Sequence, residues 1–596
     1  MIVLGYNGFT HSSEIRISDH GSQDIDRYNV LGHDAAVSVT IDGTVVAAVE
    51  EERLNREKKT SQFPTNAIDW CLRKSGIELK DVDYFAFPWA VTDEVIKSIV
   101  LDIFTLAPTP TMAFGMTAEI GELYTKLLTH EAIAQDFRER TGFDIPAEKL
   151  ILVPHHLAHL MCGYQIRGGG DSAFFISDGR GERESAIAGQ IVGGKITLFD
   201  QMTMTSTNSV GLFYNNITRY LGFLPNNDEY KVMGLSAYCQ TPTDKSIIDR
   251  FISLQDDGRI EFTVTTDNAR GEHPYRDFFD DIFGGNDGNR ESFEFRARVA
   301  RAAQDVTEIA TAHQVAALSK LTELSNLIIE GGVALNCVNN TKLLENSSFD
   351  SVDVSFGASD TGLAIGAAAF VGNQYGGVRP TPTGTYLGPD YTHEEMLAAT
   401  HSYADRITVK ELAAGEVPAK TAELLAEKVV IGWFQGAAEY GPRALGARSI
   451  LANPMFEDIK DIINIRVKHR EPFRPFAPMV LESTAEKLFE MGKLPTSPYM
   501  TFVVPVREEF QDKIPGACHV DGTSRVQTVS DAQNPIVAEL LREVEKTTGV
   551  ACVINTSFNV AGEPIVCSPT DAIECFLGTE IDYLVLGRLL IQKTAS

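Results

Sequence analysis

The sequence predicts an α/β protein of two domains, the first of them built by duplication. Three observations carry this. The chain has 596 residues, more than one ordinary domain holds. Apolar runs ending in glycine-bearing loops alternate with helical periodicity along its length. One pattern of strand, polar loop, hairpin and helix occurs twice before residue 225.

In the first copy, "MIVLGYN" (1–7) reads as a buried strand. "HDAAVSVTIDGTVVAAVEEE" (33–52) reads as a hairpin turning at Asp42-Gly43, and "PTNAIDWCLRKSGI" (64–77) as a helix. In the second, "SAFFISD" (172–178) is the strand and "GRGERE" (179–184) the loop. "SAIAGQIVGGKITLFD" (185–200) is a hairpin turning at Gly193-Gly194, and "SVGLFYNNITRYLGF" (209–223) the helix. The best match for such a repeat is the actin-like, sugar-kinase-like (ASKHA) ATPase fold, in which the two loops face one another across a cleft. A long helix (294–321), strands at 326–332 and 351–356 and a helix at 362–372 complete that domain. A stretch rich in Gly, Pro and Thr, 373–389, reads as a linker. The expected division is a first domain at 1–375, a linker at 376–390 and a second α/β domain at 391–596. That domain opens with "AKTAELLAEKVVIGWFQG" and closes with "DYLVLGRLLIQK".

Composition excludes some functions. With 52 basic and 81 acidic residues the formal charge is −29, which disfavours general binding to nucleic acid or anionic membrane. No apolar run reaches the length of a membrane span. The N-terminus lacks the charged region and cleavage site of a signal peptide. The eight cysteines form no C-x-x-C pair, which argues against a zinc ribbon and for buried thiols in a cytoplasmic protein.

"VPHHLAHLMC" (153–162) sets His155 and His159 at i and i+4, on one helical face, with His156 turned away. Asp178 and Asp360 lie where buried strands end, the usual place for cleft-facing carboxylates in α/β folds. Together the four make a mixed N/O set suited to Fe(II), Mn(II) or Zn(II). Glycines in "SDGRGE", "KVMGLSAY" and "IIEGGVALN" let main-chain N–H groups approach anionic oxygens, and Lys231 could neutralise a phosphate. Residues 441–475 carry seven basic and four acidic residues, +3 in a chain of −29. Arg443, Arg448, Arg466, Lys468, Arg470 and Arg474 are interleaved there with Gly and Pro, a pattern suited to a small oxyanion rather than to a nucleic-acid strand. His33 and Asp34 lie on the first loop of the duplicated unit, where a histidine could act as a general base.

The blocks "GHDAA", "AAVEEERLNREKK", "HHLAH", "SDGRGE", "YKVMGLSAY", "GGVALN", "GPRALGARSILANP", "RVKHREPFRPFAP", "SRVQTV" and "NTSFNVAGEPIV" run in order from residue 1 to about 590. They resemble the O-carbamoyltransferases of natural-product biosynthesis. The resemblance implies an actin-like domain, similar to tRNA threonylcarbamoyl transferases (Kae1-like), followed by a domain similar to the enzymes that form threonylcarbamoyl-adenylate (YrdC-like). It implies that ATP, with Mg, and carbamoyl phosphate give carbamoyl-adenylate in the second domain. The carbamoyl group then passes in the iron-bearing first domain to a hydroxyl of a small acceptor, the two sites sharing a sheltered path. Carried over residue by residue, the metal ligands are His155, His159, Asp178 and Asp360. The base is His33, with Asp34 beside it. Adenylate contacts are Gly179, Gly181, Lys231, Gly331, Gly332 and Asn336. Carbamoyl phosphate contacts are Arg443, Arg448, Arg474, Arg525, Asn555 and Ser557. Neither nucleic acid nor membrane is an expected partner, and a homodimer is a compatible assembly. Two alternatives are a tRNA threonylcarbamoyl-type modification enzyme, which the charge disfavours, and a non-catalytic metal- and nucleotide-binding module. Residues 8–31 lengthen the first loop relative to the tobramycin enzyme of this family; the loop adjoins His33, where it could shape the acceptor site, so no acceptor contacts are transferred from the family across it.

Overall fold

A computed structural model describes residues 1–9, 27–28, 30–106, 110–206, 208–263, 275–286 and 288–594. Most of the lengthened first loop lies outside the described residues. The chain forms two compact units, one of Met1–Glu52 with Lys59–Thr383, the other of Arg53–Lys58 with Gly384–Ser596. The change at 383/384 falls inside the stretch expected to be a linker. The assignment of 53–58 to the second unit was not foreseen: Arg53 donates to the Gly441 carbonyl (2.8 Å) and Arg56 to those of Ile565 (2.6 Å) and Pro564 (3.0 Å).

The first unit holds two sheets of the same design. In the first, β1 (Ile2–Asn7), β2 (Ala36–Ile41) and β3 (Thr44–Glu50) are antiparallel neighbours, and β4 (Tyr84–Phe87) and β5 (Leu150–Leu152) extend β1 in parallel, giving the order 3-2-1-4-5. In the second, β6 (Ser172–Ser177), β7 (Glu184–Val192) and β8 (Lys195–Leu198) form the antiparallel part, and β9 (Met204–Thr205) also pairs with β7. A small hairpin of β10 (Ile252–Leu254) and β11 (Ile260–Phe262) stands apart. β12 (Asn326–Glu330) and β13 (Ser351–Asp353) extend β6 in parallel, so the order 13-12-6-7-8 repeats the first sheet. The duplication read from the sequence is thus present strand by strand. Both hairpins turn where expected, with positive φ at Asp42 (47°) and Gly43 (80°) and at Gly193 (57°) and Gly194 (82°). These are the left-handed pairs that match strand twist in a two-residue turn.

Two helices form the centre of this unit, His155–Arg167 and Leu363–Gly376. The second, "LAIGAAAFVGNQYG", is built of small residues and packs closely on both sides. A Cβ on Gly366 would lie 1.7 Å from the Ala158 carbonyl oxygen, and one on Gly5 of β1 2.0 Å from that of Ala364. Ser38 of β2 also donates to the Ala364 carbonyl (2.8 Å). That packing sets the start of Leu363–Gly376 beside the start of His155–Arg167.

The second unit is a mixed eight-stranded sheet. Its strands are β14 (Ile407–Glu411), β15 (Val430–Phe434), β16 (Arg448–Ala452), β17 (Ala477–Leu481), β20 (Gln527–Val529), β21 (Cys552–Ser557), β22 (Tyr583–Leu586) and β23 (Leu589–Lys593), in the order 14-23-22-15-16-21-17-20. A short pair, β18 (Val504–Pro505) and β19 (Thr523–Ser524), lies beside it. Because side chains alternate along a strand, Val430 and Phe434 enter the core covered by Pro569–Leu577, while Ile431 and Trp433 enter the one covered by Val417–Leu425 and Pro535–Thr548. Burial on both faces explains why "VVIGWF" reads as a continuous apolar run. No helix among the described residues is long and apolar enough to cross a membrane.

Candidate functional site

Three chain elements bring the predicted ligands together. His155 and His159 lie in the first turns of the helix His155–Arg167, Asp178 follows β6, and Asp360 begins the 3₁₀ turn Asp360–Gly362 that leads into Leu363–Gly376. His155 Nε2 stands 3.3 Å from Asp178 Oδ2 and 3.7 Å from Asp360 Oδ1. His159 Nε2 stands 3.6 and 3.5 Å from the same atoms and 3.2 Å from His155 Nε2. The tetrahedral edge for metal–ligand bonds of roughly 2.1 Å is about 3.4 Å, so these spacings fit one shared ion. Two imidazole nitrogens and two carboxylates are also the donor set that borderline divalent metals prefer. Burial disfavours a charged His159, but Asp178 and Asp360 outweigh it and push its pKa up to about 10. The cluster attracts positive charge strongly. Gly332 donates its N–H to the second oxygen of Asp178 (2.8 Å), orienting that carboxylate.

His156 does turn away from this set. It is buried, and burial holds its pKa down at about 3. Gly181 packs on it: a Cβ there would lie 2.6 Å from His156 Nδ1.

His33 borders this candidate ligand set. Its Nδ1 is 2.8 Å from Asp34 Oδ2 and its Nε2 is 3.7 Å from Asp360 Oδ2. An ionised carboxylate can only accept, so Nδ1 carries the proton, and in the neutral ring Nε2 presents a lone pair; burial lowers the His33 pKa, but Asp360 and Asp34 outweigh it and raise it. Asp34 is buried and adopts φ 59°, a left-handed conformation that Asp tolerates better than most residues. Burial would raise its pKa, but the Lys59 ammonium (Nζ–Oδ2 3.1 Å) and His33 hold the carboxyl well below its usual range. Lys59, Asp34 and His33 therefore form a chain that ends at Asp360. Lys59 lies in a block singled out in the sequence, yet no spacing rule pairs it with Asp34.

The residues expected to hold adenylate have varied surroundings. Gly331 adopts φ 91°, and a Cβ there would lie 2.3 Å from the Ser177 carbonyl oxygen. Gly179 is open apart from Leu212 at 3.8 Å. Lys231 pairs with buried Asp228 (3.0 Å). Asn336 caps the helix Cys337–Asn346 by accepting from Asn339 (3.1 Å) and exchanges bonds with Gln304.

In the second unit, Asn555 donates to the Ala444 carbonyl (3.0 Å) and to Gln527 Oε1 (2.7 Å), and Gln527 donates to the Leu445 carbonyl (2.8 Å). These bonds draw together the segments that carry Arg443, Arg525 and Asn555. Ser557 is two residues along β21 from Asn555, hence on the same face. It meets Lys468, whose Nζ also reaches Asn559 Oδ1 (2.7 Å) and the Asn559 carbonyl (2.9 Å). Burial, with Arg470 and Arg474 nearby, pushes the Lys468 pKa well below the ordinary lysine value. Lys468 stood in the basic cluster of the sequence but received no role there. Arg474 is half-buried and pairs with Glu471 (3.4 Å). Arg448 differs from expectation as an oxyanion contact. It is fully buried, lies 3.5 Å over the Phe434 ring and donates to the carbonyls of Cys567, Gln435, Gly436, Ala447 and Pro389. Its charge is taken up by the main chain, so it supports the frame.

Residues 28–369 match the family model described as carbamoyltransferase N-terminus, and residues 422–593 match carbamoyltransferase C-terminus. The chain is 36% identical to the uncharacterized protein sll1178 of Synechocystis sp. over 598 residues, 94% of this chain and 95% of that one. It is 35% identical to nodulation protein NolNO of Sinorhizobium fredii over 614 residues, 100% of this chain and 83% of that one. Nodulation protein NolO of Bradyrhizobium diazoefficiens is 36% identical over 448 residues, 74% of this chain and 78% of that one.

Proposed function

The chain belongs to the carbamoyltransferase family, and from that premise we propose that it is an ATP-dependent O-carbamoyltransferase acting on a hydroxyl of a small natural product. The observation that carries this reading is the convergence of His33 on the His155–His159–Asp178–Asp360 cluster. The duplicated sheet order supports an actin-like first unit able to hold a nucleotide.

In this reading water hydrolyses carbamoyl phosphate in the YrdC-like second unit to carbamate and phosphate, and a carbamate oxygen then bonds to the α-phosphorus of ATP as the bond to the β-phosphate oxygen breaks, giving carbamoyl-adenylate and pyrophosphate. Arg443, Arg474 and Arg525 neutralise the incoming dianion, and Asn555, Ser557 and Lys468 border it. In the first unit the acceptor hydroxyl oxygen bonds to the carbamoyl carbon as the bond from that carbon to the adenylate phosphate breaks and AMP leaves. His33 Nε2 takes the hydroxyl proton, while Asp34 holds Nδ1–H and stabilises the imidazolium that forms. Lys59 keeps Asp34 ionised. His155, His159, Asp178 and Asp360 would hold a divalent ion such as Fe(II), which when bound supplies Lewis acidity to the leaving phosphate. Main-chain N–H groups at Gly331 and Gly179 face the phosphate in this reading, while that of Gly332 orients Asp178.

The test is mass spectrometry of purified enzyme incubated with ATP, carbamoyl phosphate and a library of hydroxylated acceptors. A carbamoyl mass gain dependent on both cosubstrates is expected. Mass gain without ATP would refute the adenylate route, and modification of tRNA instead would refute the small-molecule acceptor.

A further inference from the structure

A buried carboxylate requires compensating hydrogen bonds. Glu182, in the loop that follows Asp178, is 3% exposed. Its Oε1 accepts the N–H groups of Ala90 (2.7 Å) and His155 (3.0 Å), and its Oε2 lies 3.2 Å from the same His155 nitrogen. The helix His155–Arg167 begins after Pro154, which supplies no side-chain cap. A carboxylate from another loop therefore caps it, where the helix dipole favours negative charge. The capped N–H belongs to a residue of the metal cluster.

Neighbouring contacts point the same way. Ala90 follows Trp89, whose ring centroid lies 4.4 Å from that of His155. The Tyr124 hydroxyl donates to the Glu182 carbonyl (2.8 Å), fixing the loop from its other side. One side chain thus joins the loop carrying Asp178, the helix start carrying His155 and the turn carrying the indole that packs on His155.

We propose that Glu182 is a positioning residue of the metal centre. It holds the start of the helix against the Asp178 loop and so sets the 3.3 Å separation of His155 Nε2 and Asp178 Oδ2. This rests on the metal reading given above. A cap of merely structural use would change stability and leave the coordination of an ion unaltered, so the two roles separate experimentally.

The test uses full-length wild type, Glu182→Ala, Glu182→Asp and Glu182→Gln, stripped of metal and titrated with Co(II) against a competing chelator while the d–d absorption is recorded. Removing an orienting partner of a ligand typically weakens metal affinity by about 10- to 100-fold. That loss, with a displaced d–d band, is expected for Glu182→Ala, and for Glu182→Asp, which serves if the alanine variant does not fold. Glu182→Gln keeps an oxygen that can accept from His155 N–H and should restore most of the affinity and the wild-type band. Wild-type affinity and spectrum in both the alanine and aspartate variants would overturn the inference alone. Absence of Co(II) binding by wild type would overturn the metal reading and the inference with it.

Discussion

At His33 the decisive atom is Nε2. An alcohol is a poor nucleophile at neutral pH, and a positioned base contributes on the order of 10² to 10⁴ in rate. His33→Ala should slow acceptor carbamoylation within that range while pyrophosphate release persists, measured in parallel on one sample. Normal product formation would return His33 to an ordinary loop residue. Asp34→Asn keeps a side chain suited to left-handed φ but loses the charge that fixes the His33 tautomer; it too should lose transfer and keep pyrophosphate release. A second buried carboxyl gives a pH signature. Glu330 is 0% exposed, and burial pushes its pKa up to about 7 despite a bond from Ser355 N–H (3.0 Å). A folded pKa above the unfolded value means that the folded state binds the extra proton, so stability falls as pH rises between about 4.5 and 7. Glu330→Gln removes that contribution. Its melting temperature should gain on wild type as pH is raised through the window, and a pH-independent difference would show that Glu330 does not titrate there.

At the scale of elements, two helix starts and a strand end make the candidate metal cluster, so helix packing controls it. Gly366 allows Leu363–Gly376 to approach the Ala158 carbonyl, and any Cβ there must push the helices apart. Overpacking of this kind costs about 1–3 kcal/mol or more. Gly366→Ala should lower thermal stability and also reduce bound metal, because Asp360 begins one of these helices and His155 and His159 lie on the other. His159→Ala acts at the ligands themselves: metal content and transfer fall, and the metal-free protein also loses stability because the charged imidazole that offsets Asp178 and Asp360 is gone. Full metal occupancy in His159→Ala would remove that residue from the ligand set.

At the scale of the whole molecule, the proposed reaction divides into two chemistries, one per unit. Arg443→Ala should abolish pyrophosphate release driven by carbamoyl phosphate, because a dianion loses a fork-shaped partner, and still transfer from supplied carbamoyl-adenylate. Equal loss of both steps in a folded variant would refute the division. The sequence by itself determined the α/β class, the duplicated strand–hairpin–helix pattern, both glycine-bearing turns and the i, i+4 histidine pair. Each of these is local: side-chain period, turn chemistry and helical spacing act over a few residues. The same local logic could nominate Asp178 and Asp360 as strand-end carboxylates. It could not reveal that Glu182 caps the helix of His155, that Lys59 meets Asp34, or that residues 53–58 join the second unit. Nor could it tell Arg448 from Arg443, since both are arginines in one Gly- and Pro-rich run. Tertiary structure decided these, because burial and the carbonyls around a guanidinium depend on chain segments far apart in sequence. There Arg448 is enclosed by main-chain carbonyls over Phe434, while Arg443 stays half-buried in the loop that Asn555 and Gln527 draw together.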